Sequence, residues 1–414
     1  MEVIKQSIQS SSKLGKNWAM VAVLFFMLAI LITARNSIGL MMPFWYNELG
    51  WSYGLVSTAG AIMMVVMAMM APLAGLILDN YGSRLVYVGA VGLIGCEFIL
   101  CAFMTDYWQL LVLVGIMGGV GFAIISPALV STTIAQHFDK KLGLATSIVT
   151  SGSTGGQLAL MPLLGVLVVA TSWREAYFFV GILILFTAVV VFFLINDTPK
   201  RVTKTPKLQV FVIGKTISTL RVNSTFWLLA AGFFICGFTT AGVIKIHMIP
   251  YAVSCGFSAL QSASAYGVMS FFSMVGMIGY GYLSDKMHRP MLLASIYLLR
   301  AMTFILLMNI TDSPAILFTF SILFGVFDYA SFPIVANLVA THIGRKVMGF
   351  SMGLIFASHS LGAASGSFLG GYIYDIYASY NYVWVFSVLI AALAGFLTLF
   401  IKENRPHFSF TATA

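Results

Sequence analysis

The sequence has 414 residues, of which 60% are hydrophobic and only 8% are charged. Soluble proteins carry about 25% charged residues, so this composition excludes a soluble globular protein and indicates a chain embedded in a lipid bilayer. The formal net charge of +9 does not favour nucleic-acid binding, because the basic residues are scattered over short segments that would face anionic lipid.

Long apolar runs predict twelve transmembrane helices, which we number α1 to α12 in chain order. About 20 residues at 1.5 Å each cross a hydrocarbon core of roughly 30 Å, and every run reaches about that length. The predicted spans are 18–41, 52–78, 85–104, 108–134, 143–169 and 175–195, followed by 226–251, 262–284, 291–309, 314–339, 346–371 and 380–401. The sequence therefore predicts an all-α membrane protein.

A decapeptide that occurs twice divides these helices into two halves. It runs from Gly75 to Arg84 between α2 and α3, and from Gly281 to Pro290 between α8 and α9. The offset of 206 residues (285 − 79) also carries Pro127 onto Pro333, Gly143 onto Gly349, Gly119 onto Gly325 and Gly165 onto Gly371. A constant long offset is the mark of an internal repeat. We therefore predict two homologous six-helix bundles, 18–195 and 226–401, joined by a linker at 196–225 and flanked by tails at 1–17 and 402–414.

The distribution of Lys and Arg predicts the orientation in the membrane. With both termini in the cytoplasm, the cytoplasmic segments hold 18 of the 22 basic residues, the opposite side holds only Arg174, and three lie inside helices. This excess is the positive-inside signal. We expect residues 1–16 to form a mobile polar tail, and residues 208–220 of the basic linker to form an amphipathic helix on the membrane surface.

The first decapeptide fits, at every fixed position, the Gly-x-x-x-Asp-x-x-Gly-x-Arg signature of the major facilitator superfamily, and the whole chain resembles that family. The second copy has His288 in place of the second glycine. The resemblance implies two pseudo-symmetric bundles around a central cavity that opens alternately to each side. It also implies a gating role for the loop, with Asp79 capping or pairing with a neighbouring helix; a solvated turn without a gating role is the alternative. The gating residues expected are Gly75, Asp79, Gly82, Arg84, Asp285 and Arg289.

A narrower resemblance rests on residues 35–41 and 48–52 in the first half and on residues 327–333 and 356–364 in the second. These stretches are similar to the bacterial members of the branch that contains monocarboxylate transporters and oxalate/formate antiporters. That resemblance implies a monomer in the bacterial inner membrane that moves small organic anions, often carboxylates, with protons or by exchange. The chain departs from the branch in α8, which has no basic residue before its terminal aspartate. The resemblance therefore indicates a class of substrate and not one substrate.

Seven ionisable residues fall inside predicted helices, where each costs a few kcal/mol or more unless it faces a partner or a cavity. They are Arg35, Glu97, Lys245, His247, Arg300, Asp328 and His359. Arg35 and Lys245 belong to α1 and α7, which line the cavity by resemblance, and we predict that both lie on its outer side and bind an anionic substrate. Snorkelling to the interface, or a structural hydrogen bond, is the alternative for each. Further substrate contacts are expected from Asn36, Ser126, Gln157 and His359.

Asp328 and His359 fall near the middle of α10 and α11. One hypothesis is a proton-carrying pair, because histidine titrates near neutrality and burial favours a protonated carboxyl. The competing hypothesis is a structural ion pair in which Arg300 of α9 neutralises Asp328. The residues considered for proton coupling are therefore Asp328, His359 and Arg300. For Glu97 and His247 a structural role is favoured.

The sequence shows no enzyme, metal or cofactor motif that fits its context. Gly349-x-Ser351-x-Gly353 has the spacing of a nucleophile elbow, but it opens a predicted membrane helix and not a strand–turn–helix. The leading hypothesis is a secondary transporter that takes up a small organic anion, a carboxylate, by proton symport. The alternatives are a proton-antiport exporter of drugs or metabolites, a transporter of a larger carboxylate such as a siderophore, and a non-transporting sensor on the same scaffold.

Overall fold

The computed structural model describes residues 2–135, 137–138, 142–195, 218, 220–310, 313–343 and 348–402. For residues 2–16 and for Pro72, Asp79, Ala128, Ala135, Leu142, Gly143, Met348 and Gly349 the description covers the backbone alone. Regular secondary structure in this part of the chain is helical throughout. The predicted all-α class is confirmed.

The first half contains six membrane helices, some of which are built from several consecutive segments. They are α1 (Glu2–Arg35 and Ile38–Leu49), α2 (Tyr53–Tyr81), α3 (Ser83–Cys101), α4 (Tyr107–Leu110, Leu111–Gly118, Gly119–Ile124 and Pro127–Ala135), α5 (Leu142–Gly155 and Gln157–Ala170) and α6 (Trp173–Leu194). In α4 the segment Leu111–Gly118 is a π-helix. Such wide turns are rare and occur frequently at functional sites.

The second half repeats this arrangement. Its helices are α7 (Ser224–Gly237, the π-helix Phe238–Ile244, and Lys245–Ser254), α8 (Ala259–Lys286), α9 (Arg289–Met308), α10 (Pro314–Asp328 and Ser331–His342), α11 (Met348–Tyr377) and α12 (Asn381–Leu399). Eleven of the twelve membrane helices are long and apolar enough to span a bilayer by composition. The remaining one, α11, has 30 residues and is rich in glycine and serine, which lowers its mean hydropathy while it keeps the length needed to span.

The first helix is longer than its apolar run. Helix α1 begins at Glu2 and its second segment ends at Leu49, so the backbone of the predicted polar tail is helical where it is described, and its mobility stays a prediction. The polar residues there continue a helix that the apolar run alone could not reveal. The amphipathic helix expected at 208–220 lies outside the described residues, apart from isolated positions at its end.

We call the end of the bundle that carries the connections 50–52, 171–172 and 255–258 the far end, and the end nearer the two termini the near end. Side-chain caps fix where the helices start at the far end. Ser52 accepts from the backbone N–H of Leu55, and Ser258 forms a capping box with Gln261. These caps satisfy backbone donors that a helix leaves unpaired at its start.

The two halves meet at the far end. The backbone N–H of Gly54 donates to Asp375 Oδ2 at 2.9 Å, and Ser367 Oγ donates to the carbonyl of Ser57 at 2.9 Å. These bonds join the start of α2 to the end of α11. Gly371 allows the approach, because a Cβ there would lie 2.6 Å from the carbonyl oxygen of Tyr53. Small residues at such crossings let membrane helices pack backbone to backbone.

Candidate functional site

The polar centre of the molecule lies where α1, α5, α7, α8 and α10 meet between the halves. Arg35 ends the first segment of α1, and the helix resumes at Ile38. Asn36, in the interruption, donates to Gln157 Oε1 at 3.0 Å, and Ser270 of α8 donates to the same oxygen at 3.3 Å. Gln157 of α5 thus links the first half to the second at this level.

Arg35 itself is half-buried in this centre. Its Nε is buried and has no hydrogen-bond partner. A guanidinium carries five N–H donors in a planar fork that matches carboxylate geometry. Arg35 is therefore a cation with donors available to a ligand, at the interface between the halves.

Lys245 forms the one ion pair of the centre that the described residues show. Its Nζ lies 3.5 Å from Asp328 Oδ2 and donates to the Tyr329 hydroxyl at 2.6 Å. Ser273 Oγ donates to the same carboxylate oxygen at 3.1 Å. Lys245 is 8% exposed and Asp328 is 3% exposed, so this is a buried pair that additional hydrogen bonds support.

This pairing changes the expected position of Lys245. The sequence predicts a free cation on the outer side of the cavity, whereas the structure places its ammonium at the level of Asp328, near the middle of α10. The reason is the length of the observed helices. The α7 span runs from Ser224 to Ser254 and the α1 span from Asn17 to Leu49, so neither Lys245 nor Arg35 is close to a helix end.

Among the described contacts Arg300 makes no hydrogen bond or salt bridge to the Asp328 carboxylate. Its Nη2 donates to the backbone carbonyls of Phe327 and Asp328, and its Nη1 lies 3.2 Å from Cys236 Sγ. Helix α10 is interrupted after Asp328, which leaves carbonyls at that helix terminus without intrahelical partners. A buried cation at a helix C-terminus satisfies them and interacts favourably with the helix dipole. The direct ion pair of the competing hypothesis is therefore not formed in this conformation.

His359 is half-buried on α11 and packs against the rings of Phe233 and Phe332 at centroid distances of 5.8 and 6.1 Å. Among the described contacts it makes no hydrogen bond to Asp328, so the proton-carrying pair of the first hypothesis is not assembled directly in this conformation.

The remaining polar positions have structural partners. Ser126 Oγ accepts from the backbone N–H of Leu129 at 3.3 Å, which caps the last segment of α4 and accounts for this residue without a substrate. His247 is fully buried, and its ring contacts the Ser367 carbonyl and the Tyr380 hydroxyl. The structural role favoured for His247 agrees with these contacts.

The repeated decapeptide links neighbouring helices at the near end. Gly82 has a φ of 85°, a conformation that glycine adopts without strain. Arg84 Nε donates to the Ile195 carbonyl at 2.8 Å, at the end of α6. Arg289 Nη1 donates to the Asn337 carbonyl at 3.3 Å, near the end of α10. The side chain of Asp79 lies outside the described residues.

The first glycine of each decapeptide lies where two helices pack together. Gly75 and Gly281 face Leu129 and Pro333 at ordinary contact distance, so they allow α2 and α8 to approach α4 and α10.

The sequence interpretation missed Tyr329, whose hydroxyl accepts a hydrogen bond from Lys245. Its position next to an intramembrane aspartate was the available signal, because a buried tyrosine hydroxyl needs a hydrogen-bond partner.

Comparison with known proteins agrees with this architecture. The family model described as Major Facilitator Superfamily matches residues 24–364 and 280–412. The chain is 22% identical over 377 residues to the uncharacterized MFS-type transporter YcxA of Bacillus subtilis (strain 168), covering 88% of this chain and 90% of that protein. It is 23% identical over 401 residues to the oxalate:formate antiporter of Oxalobacter formigenes, covering 95% and 92%. It is also 23% identical over 435 residues to human monocarboxylate transporter 12, covering 96% and 83%.

Solved structures show the same fold. The bacterial homologue of the human lysosomal transporter Spinster, in an inward-facing and unoccupied conformation, superposes with a TM-score of 0.75 at 14% identity, covering 92% of this chain and 96% of that one. A single-site mutant of the nucleoside transporter NupG superposes with a TM-score of 0.77 at 10% identity, covering 92% and 99%. The family match spans most of the chain, and the twelve-helix fold accompanies it. The chain therefore belongs to the major facilitator superfamily and is a membrane transporter, not an enzyme.

Proposed function

We propose that this protein is a secondary transporter that moves a small organic anion, of the carboxylate class, together with a proton. The observation that carries the proposal is the pair of cations between the halves. Arg35 keeps a buried Nε without a partner, and Lys245 is held by an exchangeable carboxylate, Asp328. A cation in a membrane protein interior marks a partner or a substrate pathway, and an anion fits both positions.

The arrangement supports a simple coupling scheme. Without substrate, Asp328 neutralises Lys245. An anionic substrate that binds Arg35 competes with Asp328 for the ammonium group, because one cation cannot neutralise two anions. The displaced carboxylate, which is 3% exposed, then binds a proton because an unpaired buried charge is costly. Substrate and proton therefore bind together, and release of one favours release of the other.

The conformation supports alternating access. Three hydrogen bonds between described residues join the halves, and they involve Gly54, Ser367 and Gln157. They lie at the far end or at the level of the polar centre. The positive-inside rule assigns the near end to the cytoplasm, so the proposed state is inward-facing, in a monomer of the bacterial inner membrane whose termini are cytoplasmic.

Uptake into proteoliposomes tests the proposal. The panel contains monocarboxylates, dicarboxylates, hydroxycarboxylates and one carboxylate siderophore, each assayed with and without a proton gradient. We expect a carboxylate to accumulate with the gradient, and we expect uptake by the folded fraction of Asp328→Asn to be independent of pH. If no anion is taken up and Arg35→Gln leaves transport of a neutral or cationic compound intact, the proposed substrate class is wrong.

A further inference from the structure

Glu97 of α3 is a buried carboxyl whose surroundings do not account for it. It is 2% exposed, and its Oε2 has no hydrogen-bond partner. Among the described residues no cation lies within 4.0 Å of it, since the ion pairs found there are Arg174–Glu48 and Lys245–Asp328. An ionised carboxylate in this position is strongly unfavourable. Glu97 must therefore be protonated in this conformation, or gain a cation in another one.

Arg35 is the cation that lines a cavity together with Glu97. Arg35 and Glu97 line the same small cavity together with Phe122 and Tyr177, and its volume is about 10 Å³. A cavity of this size is at the lower limit for one water molecule, and it is the space that the two side chains share. Each of them also presents a buried polar atom without a partner, Nε on one and Oε2 on the other.

The backbone of α4 makes room for this carboxyl. A Cβ on Gly118 would lie 2.9 Å from Glu97 Oε1, so a larger residue there would displace the carboxyl. Gly118 is the last residue of the π-helical segment Leu111–Gly118. A wide turn and a glycine thus coincide beside this buried carboxyl, and wide turns occur frequently at functional sites.

We propose that Glu97 is a second proton-exchange residue, which neutralises Arg35 when no anion is bound. This inference rests on the proposed function. When the anion leaves Arg35, in a conformation other than this one, the Glu97 carboxyl releases its proton to water, and the carboxylate pairs with the guanidinium. When an anion binds Arg35, the carboxylate loses its partner and takes up one proton. Together with the proton that Asp328 binds, two protons therefore enter or leave the site with one anion.

Few other titratable groups lie near the Glu97 carboxyl. The charged or titratable neighbours described around Glu97 are Arg35, the hydroxyl of Tyr177 on α6, and the Cys101 thiol on its own helix. Residues 111–124 of α4, which pack against α3, contain no titratable side chain. A change in the protonation of Glu97 therefore reports on Arg35 and on little else.

Two measurements test the inference. In proteoliposomes we expect Glu97→Gln to retain counterflow of the anion within about twofold, because exchange requires no net proton movement, and to lose proton-driven accumulation by more than tenfold. Glu175→Gln, an exposed carboxyl at the start of α6, is the matched control and should change neither. Proton-driven accumulation by Glu97→Gln equal to that of the native protein overturns the inference.

The second measurement needs no substrate. Infrared difference spectra of the purified protein assign the Glu97 carboxyl band by its loss in Glu97→Gln. We expect this band to change with pH, and over a different pH range in Arg35→Gln. A band that ignores Arg35→Gln overturns the link between the two residues. If the Glu97 band changes in Arg35→Gln but the protein exchanges no anion, the link between Glu97 and Arg35 is supported. The proposed function is then the part that is wrong.

Discussion

The intramembrane charges of the two halves differ in the partners that they contact. In the second half, Lys245 contacts Asp328 and Tyr329, and Arg300 donates to two backbone carbonyls, although Arg300 Nε has no hydrogen-bond partner. In the first half, Arg35 Nε and Glu97 Oε2 are also without a hydrogen-bond partner, and the described contacts give neither residue an ion pair. The scaffold repeats with an offset of 206 residues, but the charges do not: the same offset carries Arg35 onto Ala241.

This difference indicates a division of labour between the halves. In an ion pair such as Lys245–Asp328, each charge offsets the free-energy cost of burying the other. The pair therefore stabilises the site when no anion is bound. An unsatisfied cation such as Arg35 gains most when a ligand arrives. The first half then supplies affinity for the anion, and the second half supplies the competition that releases it. The predictions below test this contrast, beginning with the largest expected effect.

Thermal stability should be most sensitive to a single substitution in the Lys245–Asp328 ion pair. Asp328→Asn leaves a buried ammonium without its carboxylate, and breaking one partner of a buried ion pair costs about 3–5 kcal/mol. We expect a large loss of thermal stability in detergent. The double variant Lys245→Gln/Asp328→Asn removes both charges and should recover most of that stability while it remains inactive. A double variant no more stable than the single one contradicts the pairing.

The two intramembrane arginines should separate effects on binding from effects on stability. Arg35→Gln should lower the catalytic efficiency of anion uptake by about tenfold to a hundredfold, because a hydrogen bond to a charged group is worth about 1.5–3 kcal/mol. Its thermal stability should change little. Arg300→Gln should show the opposite result, since Arg300 is fully buried and satisfies the interrupted end of α10. Uptake kinetics and thermal unfolding of both variants distinguish the effect on anion binding from the effect on stability.

The sequence predicted the fold because the bilayer imposes a strong pattern on it. Apolar length identified twelve helices, which the structure contains, and the division of the chain at residues 196–225 stays a prediction of the repeat. The turn glycine Gly82 was also expected, and its φ of 85° confirms the reason for it. These features depend on residues that are close in the chain or related by a constant offset.

The partners of the charged residues could not be predicted in the same way. Depth along a helix gives a residue's level but not the direction in which it points, and Lys245 has a side chain long enough to reach across to α10. The contacts of Arg300 with backbone carbonyls could not be foreseen, because the sequence does not show that α10 is interrupted after Asp328. A structural role was favoured for Glu97 because α3 is peripheral by resemblance, and nothing in the sequence places Glu97 at a cavity that Arg35 also lines.

The contact between the halves at the far end should respond to a smaller change. Asp375 accepts from the N–H of Gly54 and so caps α2 from the opposite half. Loss of such a cap costs about 1 kcal/mol, which changes a two-state ratio roughly fivefold. We expect Asp375→Ala to shift the population toward the conformation open at the far end. Distances between spin labels on the far ends of α5 and α8 measure the shift, and Ser172→Ala, a cap within one half, is the control.

The smallest effects are expected at the near end, where the repeated loop holds different helices in the two halves. Arg84 donates to the end of α6, whereas Arg289 donates to the last segment of α10. Both side chains are partly exposed, so each substitution by Gln should cost about 1 kcal/mol or less. Because α10 also carries Asp328, Arg289→Gln should alter the pH dependence of uptake, and Arg84→Gln should not. Equal pH profiles for the two variants would mean that the loop acts alike in both halves, and that the contrast between them is confined to the polar centre.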